Sequence, residues 1–100
     1  MKISEFQKLI EDMYSDKDRK RGAAGTFIWL IEEIGELASA IGQTNEKDKQ
    51  NIAEEFADVF AWLVTLANVE GIDLEKACIE KYAKGCPGCG KMECQCNEKP

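Results

Sequence analysis

Four carboxylates stand in the middle of the chain as two short-spaced pairs, separated by a polar break. The first pair is Glu33 and Glu36, and the second pair is Glu55 and Asp58. Residues three apart are neighbours on the surface of an α-helix, so each pair is expected to project from one side of its own helix. Carboxylates held this close repel one another unless a cation neutralises them. The spacing therefore indicates a divalent metal site.

The two pairs face each other if their helices form a hairpin. Helices joined by a short loop pack antiparallel, so residues at equal distances from the centre of the loop lie opposite one another. Glu33 with Asp58, and Glu36 with Glu55, are both centred between positions 45 and 46, inside the polar run 43–48. We therefore expect a helical hairpin that gathers all four carboxylates.

Apolar residues recur at helical spacing before the tail, and no segment has the alternating pattern of a strand. The sequence therefore predicts an all-α fold, a four-helix bundle. The predicted segments, in chain order, are a helix to about Tyr14, a polar loop over 15–22, a helix from 23–26 to Gly42, a helix over 48–70 that stops at Gly71, and a helix capped by Asp73. An apolar stripe on the second helix should border the core and consists of Phe27, Leu30, Ile34, Leu37 and Ile41.

Composition and charge argue against several classes of protein. One hundred residues, 44% hydrophobic and 32% charged, suit a globular protein with a modest core, which association into a dimer or tetramer would extend. A net charge of −6 without a basic block argues against a nucleic-acid partner. No apolar stretch approaches the roughly 20 residues of a membrane span, so we predict a cytoplasmic protein without a membrane partner. The chain has no histidine, so any catalytic base must be a carboxylate or metal-bound water.

The composition changes at Gly85, which divides the chain into a helical domain, 1–84, and a cysteine-rich tail, 85–100. Four cysteines lie in the tail, as a C-x₂-C pair followed by a C-x-C pair: Cys86, Cys89, Cys94 and Cys96. Four thiolates at this spacing can complete the tetrahedral site of a structural zinc ion. An iron centre, a redox pair and a disordered tail are the alternatives. The fifth cysteine, Cys78, is expected on a helix as a buried small side chain.

Both acid pairs are embedded in sequence that resembles a known family. Glu33 and Glu36 lie in EEIGELASAI, and Glu55 and Asp58 lie in EEFADVFAWL. These segments, with the continuation through LANVEGIDLEKA to Lys81, are similar to the MazG-like all-α nucleoside triphosphate pyrophosphohydrolases. The resemblance covers residues 25–81.

The resemblance implies an enzyme that hydrolyses a nucleoside triphosphate to the monophosphate and pyrophosphate. It also implies Mg²⁺ as the cofactor, held by all four acids, with Glu33 or Glu36 accepting a proton from the metal-activated water. The residues agree with Mg²⁺, because this ion prefers oxygen ligands and shares its octahedron among carboxylates, waters and substrate phosphates. A di-iron site normally adds histidine ligands, so it fits a chain without histidine less well.

Candidate substrate-binding residues lie beside the acids and after them. The hairpin pairs Trp29 with Trp62 just outside the carboxylates, where the two rings either stack on a nucleotide base or belong to the core. Phosphate contacts are expected from Lys81, Lys84 or the basic segment 17–21, which otherwise is a solvated connector.

Two other interpretations stand beside the enzyme. In the first, the acids are an ordinary charged helix surface, against which their mirrored spacing and apolar flanks argue. In the second, the chain is a non-enzymatic helical zinc-binding module, whose acids are relics and whose tail docks a partner. Mg²⁺-dependent nucleotide hydrolysis separates the enzyme from this module, whereas zinc content alone does not.

Overall fold

The computed structural model describes residues 1–43 and 48–98, and within them the chain is all-α, as predicted. Three helices follow in chain order: α1 (Ile3–Ile41), α2 (Lys49–Glu70) and α3 (Leu74–Tyr82). The second half of α1 forms an antiparallel hairpin with α2, and α3 packs against α1. The predicted centre of the hairpin loop, between positions 45 and 46, lies outside the described residues.

α1 is broken at Gly22, whose φ of 75° and ψ of 179° are accessible to glycine and strongly disfavoured for other residues. The helix continues through 15–21, so the predicted loop there was wrong, and the described residues form three helices rather than four. The physical reason is that lysine and arginine are good helix formers, and Arg21 pairs with Asp18 one turn earlier at 3.0 Å. We call residues 3–21 the N-terminal arm and residues 23–41 the C-terminal arm.

The ends of α2 and α3 follow from local capping chemistry. α2 begins after Asp48, whose side chain accepts a hydrogen bond from the backbone N–H of Asn51 at 3.1 Å. It ends at Gly71, which adopts the left-handed conformation. Asp73 then caps α3 by accepting from the N–H of Lys76 at 3.0 Å. The boundaries predicted at Gly71 and Asp73 are therefore confirmed.

The N-terminal arm is fastened to the turn between α2 and α3. The Gln7 side chain accepts from the N–H of Leu74 at 3.0 Å and donates to the carbonyl of Ile72 at 2.7 Å. The rings of Phe6 and Phe60 stack, with their centroids 5.4 Å apart. These contacts fix one end of the arm on the hairpin and direct its other end, which carries Arg21, toward the acids.

The buried apolar core of a single chain is small, and its members among the described residues are Ile10, Leu30, Ala40, Val64 and Ala67. Three of the five residues of the predicted core stripe face outward: Phe27, Ile34 and Ile41 are 52%, 43% and 42% exposed. These side chains are exposed because no other described element of the chain covers this face of the hairpin. Within the described residues, no helix has an apolar stretch long enough to cross a bilayer.

Candidate functional site

The hairpin brings three of the four predicted acids together. One carboxylate oxygen each from Glu33 of α1 and from Glu55 and Asp58 of α2 lie within 4.8 Å of one another. We call these three residues the acidic cluster. Glu36 is not part of this group, but it lines an open cleft beside it together with Glu55. The predicted register of the hairpin is thereby confirmed.

The environment of the acidic cluster disfavours negative charge. Partial burial, followed by the charges of Glu36, Asp58 and Glu55, raises the pKa of Glu33. Partial burial, followed by Glu36 and Asp58, likewise raises the pKa of Glu55. In both residues the Oε2 atom is buried without a hydrogen-bond partner among the described residues. Buried polar atoms are nearly always satisfied, so these two oxygens are suited to contact a cation or a hydrogen-bond donor.

Mg²⁺ fits this donor set on chemical grounds. It takes oxygen ligands only, it seldom uses more than a few carboxylates, and it keeps the remaining positions for waters and phosphate oxygens. The acidic cluster supplies three carboxylates, two of them with an unpaired oxygen. The cleft lined by Glu36 and Glu55 has a volume of about 360 Å³ and is open to solvent, so waters and phosphates can reach the cluster.

A second cavity borders the acidic cluster at Asp58. It has a volume of about 300 Å³, and its lining includes Lys17, Arg21 and Trp62. This volume lies at the lower end of the range for small-molecule sites. The N-terminal arm thus places two cationic residues beside the acids, and both come from the segment that the sequence predicted as a loop.

Trp62 makes one contact that the sequence predicted, with Trp29, and one that it did not, with Arg21. Its ring stacks with that of Trp29, with centroids 6.1 Å apart, and the Arg21 guanidinium lies 4.7 Å from its centroid. Arg21 also donates to Asp18 at 3.0 Å and to the Thr26 hydroxyl at 3.3 Å. Asp18 is 4% exposed and Thr26 is fully buried. The sequence signal for the contacts of Arg21 was the i,i+3 spacing of Asp18 and Arg21 immediately before a glycine.

The two C-terminal lysines lie elsewhere in the fold. Lys81 is in the last turn of α3, and Lys84 follows that helix; both are exposed. Neither lines the two cavities that border the acidic cluster. The Nζ atom of Lys81 lies 5.8 Å from the Tyr82 ring centroid. Their contact with phosphates stays a prediction.

The four tail cysteines converge in the structure. Their Sγ atoms all lie within 4.8 Å of one another, and we call them the cysteine cluster: Cys86, Cys89, Cys94 and Cys96. The backbone N–H of Gln95 lowers the pKa of Cys89 to about 6, and the hydrogen bond with Cys94 raises the pKa of Cys96 to about 12. Cys78 lies apart on α3 and is exposed, so the expectation that it is buried was wrong. Cys78 lies on a face of the short helix α3 that no other described element covers.

The fold and the acidic cluster define an all-α protein with a carboxylate site suited to a divalent cation. The MazG nucleotide pyrophosphohydrolase domain family matches residues 22–90, more than half of the chain, and the chain belongs to this family. Membership indicates a nucleotide pyrophosphohydrolase. None of the curated proteins or solved structures compared with the chain gives a match. The matched span contains both acid pairs and begins at the break at Gly22, so the N-terminal arm lies before it.

Proposed function

We propose that the chain hydrolyses a nucleoside triphosphate to the monophosphate and pyrophosphate in a Mg²⁺-dependent reaction. The observation that carries this proposal is the pair of buried, unpartnered Oε2 atoms of Glu33 and Glu55, which lie in a hairpin of the MazG family. Such oxygens are costly to bury without a partner, and the cost persists only where another group compensates it.

The acidic cluster holds the cation in this proposal. Glu33, Glu55 and Asp58 would each offer one oxygen to the ion, and the cleft beside them is open to solvent. When bound, Mg²⁺ supplies positive charge against the triphosphate oxygens and lowers the pKa of water. The three carboxylates fix the position of that charge on the rigid hairpin, and the triphosphate must lie beside it.

Glu36 is the proton acceptor in this proposal, with its predicted role as a fourth ligand kept as the alternative. Its carboxylate stands outside the acidic cluster and lines, with Glu55, the cleft that is open to solvent. As the water oxygen bonds to phosphorus, the α–β phosphoanhydride bond breaks and pyrophosphate leaves. The proton of the water passes to a carboxylate oxygen of Glu36.

The nucleoside occupies the cavity next to Asp58. Trp62 lines this cavity and offers an aromatic ring to a base, while Trp29 stacks on Trp62 from outside the cavity lining and Arg21 is held by Asp18. Lys17 lines the same cavity, is exposed, and makes no ion pair among the described residues, so it is available for a phosphate. The basic segment is thus favoured over Lys81 and Lys84 as the source of phosphate contacts.

Product analysis tests this function. The purified chain is incubated with each common ribo- and deoxyribonucleoside triphosphate, with Mg²⁺ or with EDTA, and the nucleotides are separated by chromatography. We expect equal amounts of monophosphate and pyrophosphate from at least one substrate, and none with EDTA. Formation of diphosphate and phosphate would refute the proposed bond cleavage. Absence of any hydrolysis would favour the non-enzymatic module.

We also propose that two or more copies of this chain associate through the outward apolar face of the hairpin. Phe27, Ile28 and Ile31 on the C-terminal arm are 52%, 67% and 51% exposed, which is unusual for large apolar residues at neighbouring positions. Light scattering of the unaltered chain should give a dimer or tetramer, and Ile28→Glu should lower the mass. Met92→Glu changes an equally apolar residue, 84% exposed in the tail, and serves as the control. A monomeric unaltered chain would contradict the proposal.

A further inference from the structure

The cysteine cluster lies in a segment that has little else to order it. Among residues 85–98 there is no helix or strand, and the one large apolar side chain, Met92, is 84% exposed. A segment without a core normally needs a cross-link or a metal to hold one conformation. The convergence of four thiols in such a segment therefore calls for a chemical cause.

The distances between the sulfurs match those around one tetrahedral ion. With zinc–sulfur bonds of about 2.3 Å, neighbouring sulfurs in a regular tetrahedron are about 3.8 Å apart. The Sγ atoms of Cys86 and Cys96 are 3.9 Å apart, and every pair in the cluster lies within 4.8 Å. A disulfide would hold two sulfurs at about 2 Å, and all five cysteines are free thiols.

Backbone amides point at the sulfurs. The N–H of Gly88 donates to Cys86 Sγ at 3.4 Å, and the N–H of Gln95 donates to Cys89 Sγ at 3.3 Å. A third bond, at 3.4 Å, joins the N–H of Cys96 to Cys94 Sγ. Donors around a thiolate stabilise its negative charge and orient it, as the outer shell of a metal site does. Three of the four sulfurs thus have a donor in place.

The chain around the first cysteine pair is closed into a tight loop. The N–H of Cys86 donates to the Lys91 carbonyl at 2.8 Å, and the N–H of Gly90 donates to the Cys86 carbonyl at 2.7 Å. Gly85 has a φ of 113°, and a Cβ there would lie 2.9 Å from the Lys91 carbonyl carbon and oxygen. The loop therefore requires glycine at position 85, where the tail begins.

We propose that Cys86, Cys89, Cys94 and Cys96 bind one Zn²⁺ ion in a closed site that orders the tail and takes no part in hydrolysis. Four thiolates complete a tetrahedron and leave no position for water or substrate. A cluster with several irons would hold its thiolates farther apart through bridging sulfides, so the close packing specifies a single ion. Zinc binds to such a donor set more tightly than ferrous iron does.

Binding exchanges protons for metal without any redox step. Each thiol that is still protonated loses its proton to solvent as its sulfur–zinc bond forms, so one Zn²⁺ replaces up to four protons, depending on the pH. The resulting centre has a net charge of two negative units, which the three backbone donors partly offset. The binding free energy becomes ordering free energy for the tail, because the tail lacks apolar burial of its own.

Metal analysis of the unaltered chain, purified without added zinc, is the first test. Mass spectrometry of the metals should give about one zinc per chain, and a thiol reagent should modify Cys78 rapidly and the tail cysteines slowly until a chelator is added. Iron in place of zinc would overturn the assignment of the ion. Tail thiols that react freely without a chelator, or disulfides in place of thiols, would overturn the site itself.

Two matched variants connect the metal to the cysteine cluster. Cys89→Ser should lose zinc and make the tail sensitive to protease, whereas Cys78→Ser, which removes an exposed thiol outside the cluster, should retain both. Should Cys89→Ser fail to express, titration of the zinc-free unaltered chain with Co²⁺ replaces it. Tetrahedral thiolate coordination should then give strong visible absorption that saturates at about one Co²⁺ per chain. Equal zinc content in the two variants, or no visible absorption with Co²⁺, would refute the proposal.

Discussion

The acidic cluster lies between two helices, whereas the cysteine cluster lies in a segment without regular structure. The helices fix Glu33 and Asp58 through their own hydrogen bonds and packing, so the carboxylates meet before any cation arrives. The tail has no helix or strand over residues 85–98, and under the zinc proposal its order depends on the sulfurs.

The two proposals together give a metal two separate uses in one chain of this size. On the hairpin, a cation would relieve repulsion that a rigid fold imposes, and the open cleft leaves room for a substrate. In the tail, a cation would supply the folding energy that a small apolar content cannot. Oxygen donors with free positions suit the first use, and four sulfur donors suit the second.

The largest effect is expected from loss of one carboxylate at the acidic cluster. Asp58→Asn should lower Mg²⁺-dependent turnover by about 100-fold or more, because it removes a group that positions charge at the reacting centre. Glu54→Gln removes a neighbouring charge whose carboxylate is exposed and accepts a hydrogen bond from the Gln50 side chain, so the turnover of this variant should stay near that of the unaltered chain. Steady-state kinetics at saturating substrate measure both. Equal losses in the two variants would show that net charge, rather than the cluster, matters.

A smaller effect is expected from the break in α1. Gly22→Ala should lower the free energy of unfolding by about 1–3 kcal/mol, since its backbone conformation is one that side chains rarely adopt. Gly35→Ala is the control, because an added Cβ there meets nothing within 4 Å, and it should raise stability by about 0.5–1 kcal/mol. Urea unfolding measures both, and zinc content should stay unchanged. An unfolding midpoint of Gly22→Ala equal to that of the unaltered chain would show that alanine is not strained at position 22.

The N-terminal arm should contribute to substrate affinity more than to turnover. Lys17→Gln removes a cation from the cavity beside Asp58. It should raise KM by about 10-fold with little change in kcat, because loss of one charged hydrogen bond weakens binding by about that factor. Lys20→Gln removes an exposed lysine of the same arm that does not line this cavity. Its KM should remain unchanged. A rise in both variants would indicate long-range charge attraction instead of contact.

The smallest effect concerns pH. The raised pKa values of Glu33 and Glu55 mean that, between the usual carboxyl pKa and the raised one, the folded metal-free chain binds more protons than the unfolded chain. The contribution of these two carboxyl groups to the free energy of unfolding is therefore present at low pH and is lost as the pH rises through that window. Glu33→Gln should therefore gain stability over the unaltered chain as the pH rises, in urea unfolding with EDTA. A difference in the free energy of unfolding between the two chains that does not vary with pH would contradict charge repulsion within the acidic cluster.

Local spacing was enough to predict the hairpin register and the caps. The mirrored positions of Glu33 and Asp58 placed their carboxylates together, and the residue types at Gly71 and Asp73 marked helix ends. These features depend on helix geometry and on backbone chemistry within a few residues. Sequence alone therefore contains them.

Features that depend on distant packing were not predicted. The segment before Gly22 is polar enough for a loop, and contacts at both ends of the N-terminal arm, made by Gln7 and by Arg21, add to its local helix propensity. The contact of Arg21 with Trp62 joins residues far apart in sequence. Exposure of Phe27 likewise depends on which elements cover that face, which periodicity does not specify.

Binding of Mn²⁺, followed by electron paramagnetic resonance, tests most directly whether the acidic cluster is a divalent cation site. Mn²⁺ shares the preference of Mg²⁺ for carboxylate oxygen, and the thiols of the tail compete poorly for it. The unaltered chain and Glu54→Gln should bind about one Mn²⁺ per chain with similar affinity, and Glu55→Gln should bind at least about 10-fold more weakly. Binding that is equal in all three, or absent in the unaltered chain, would contradict the account.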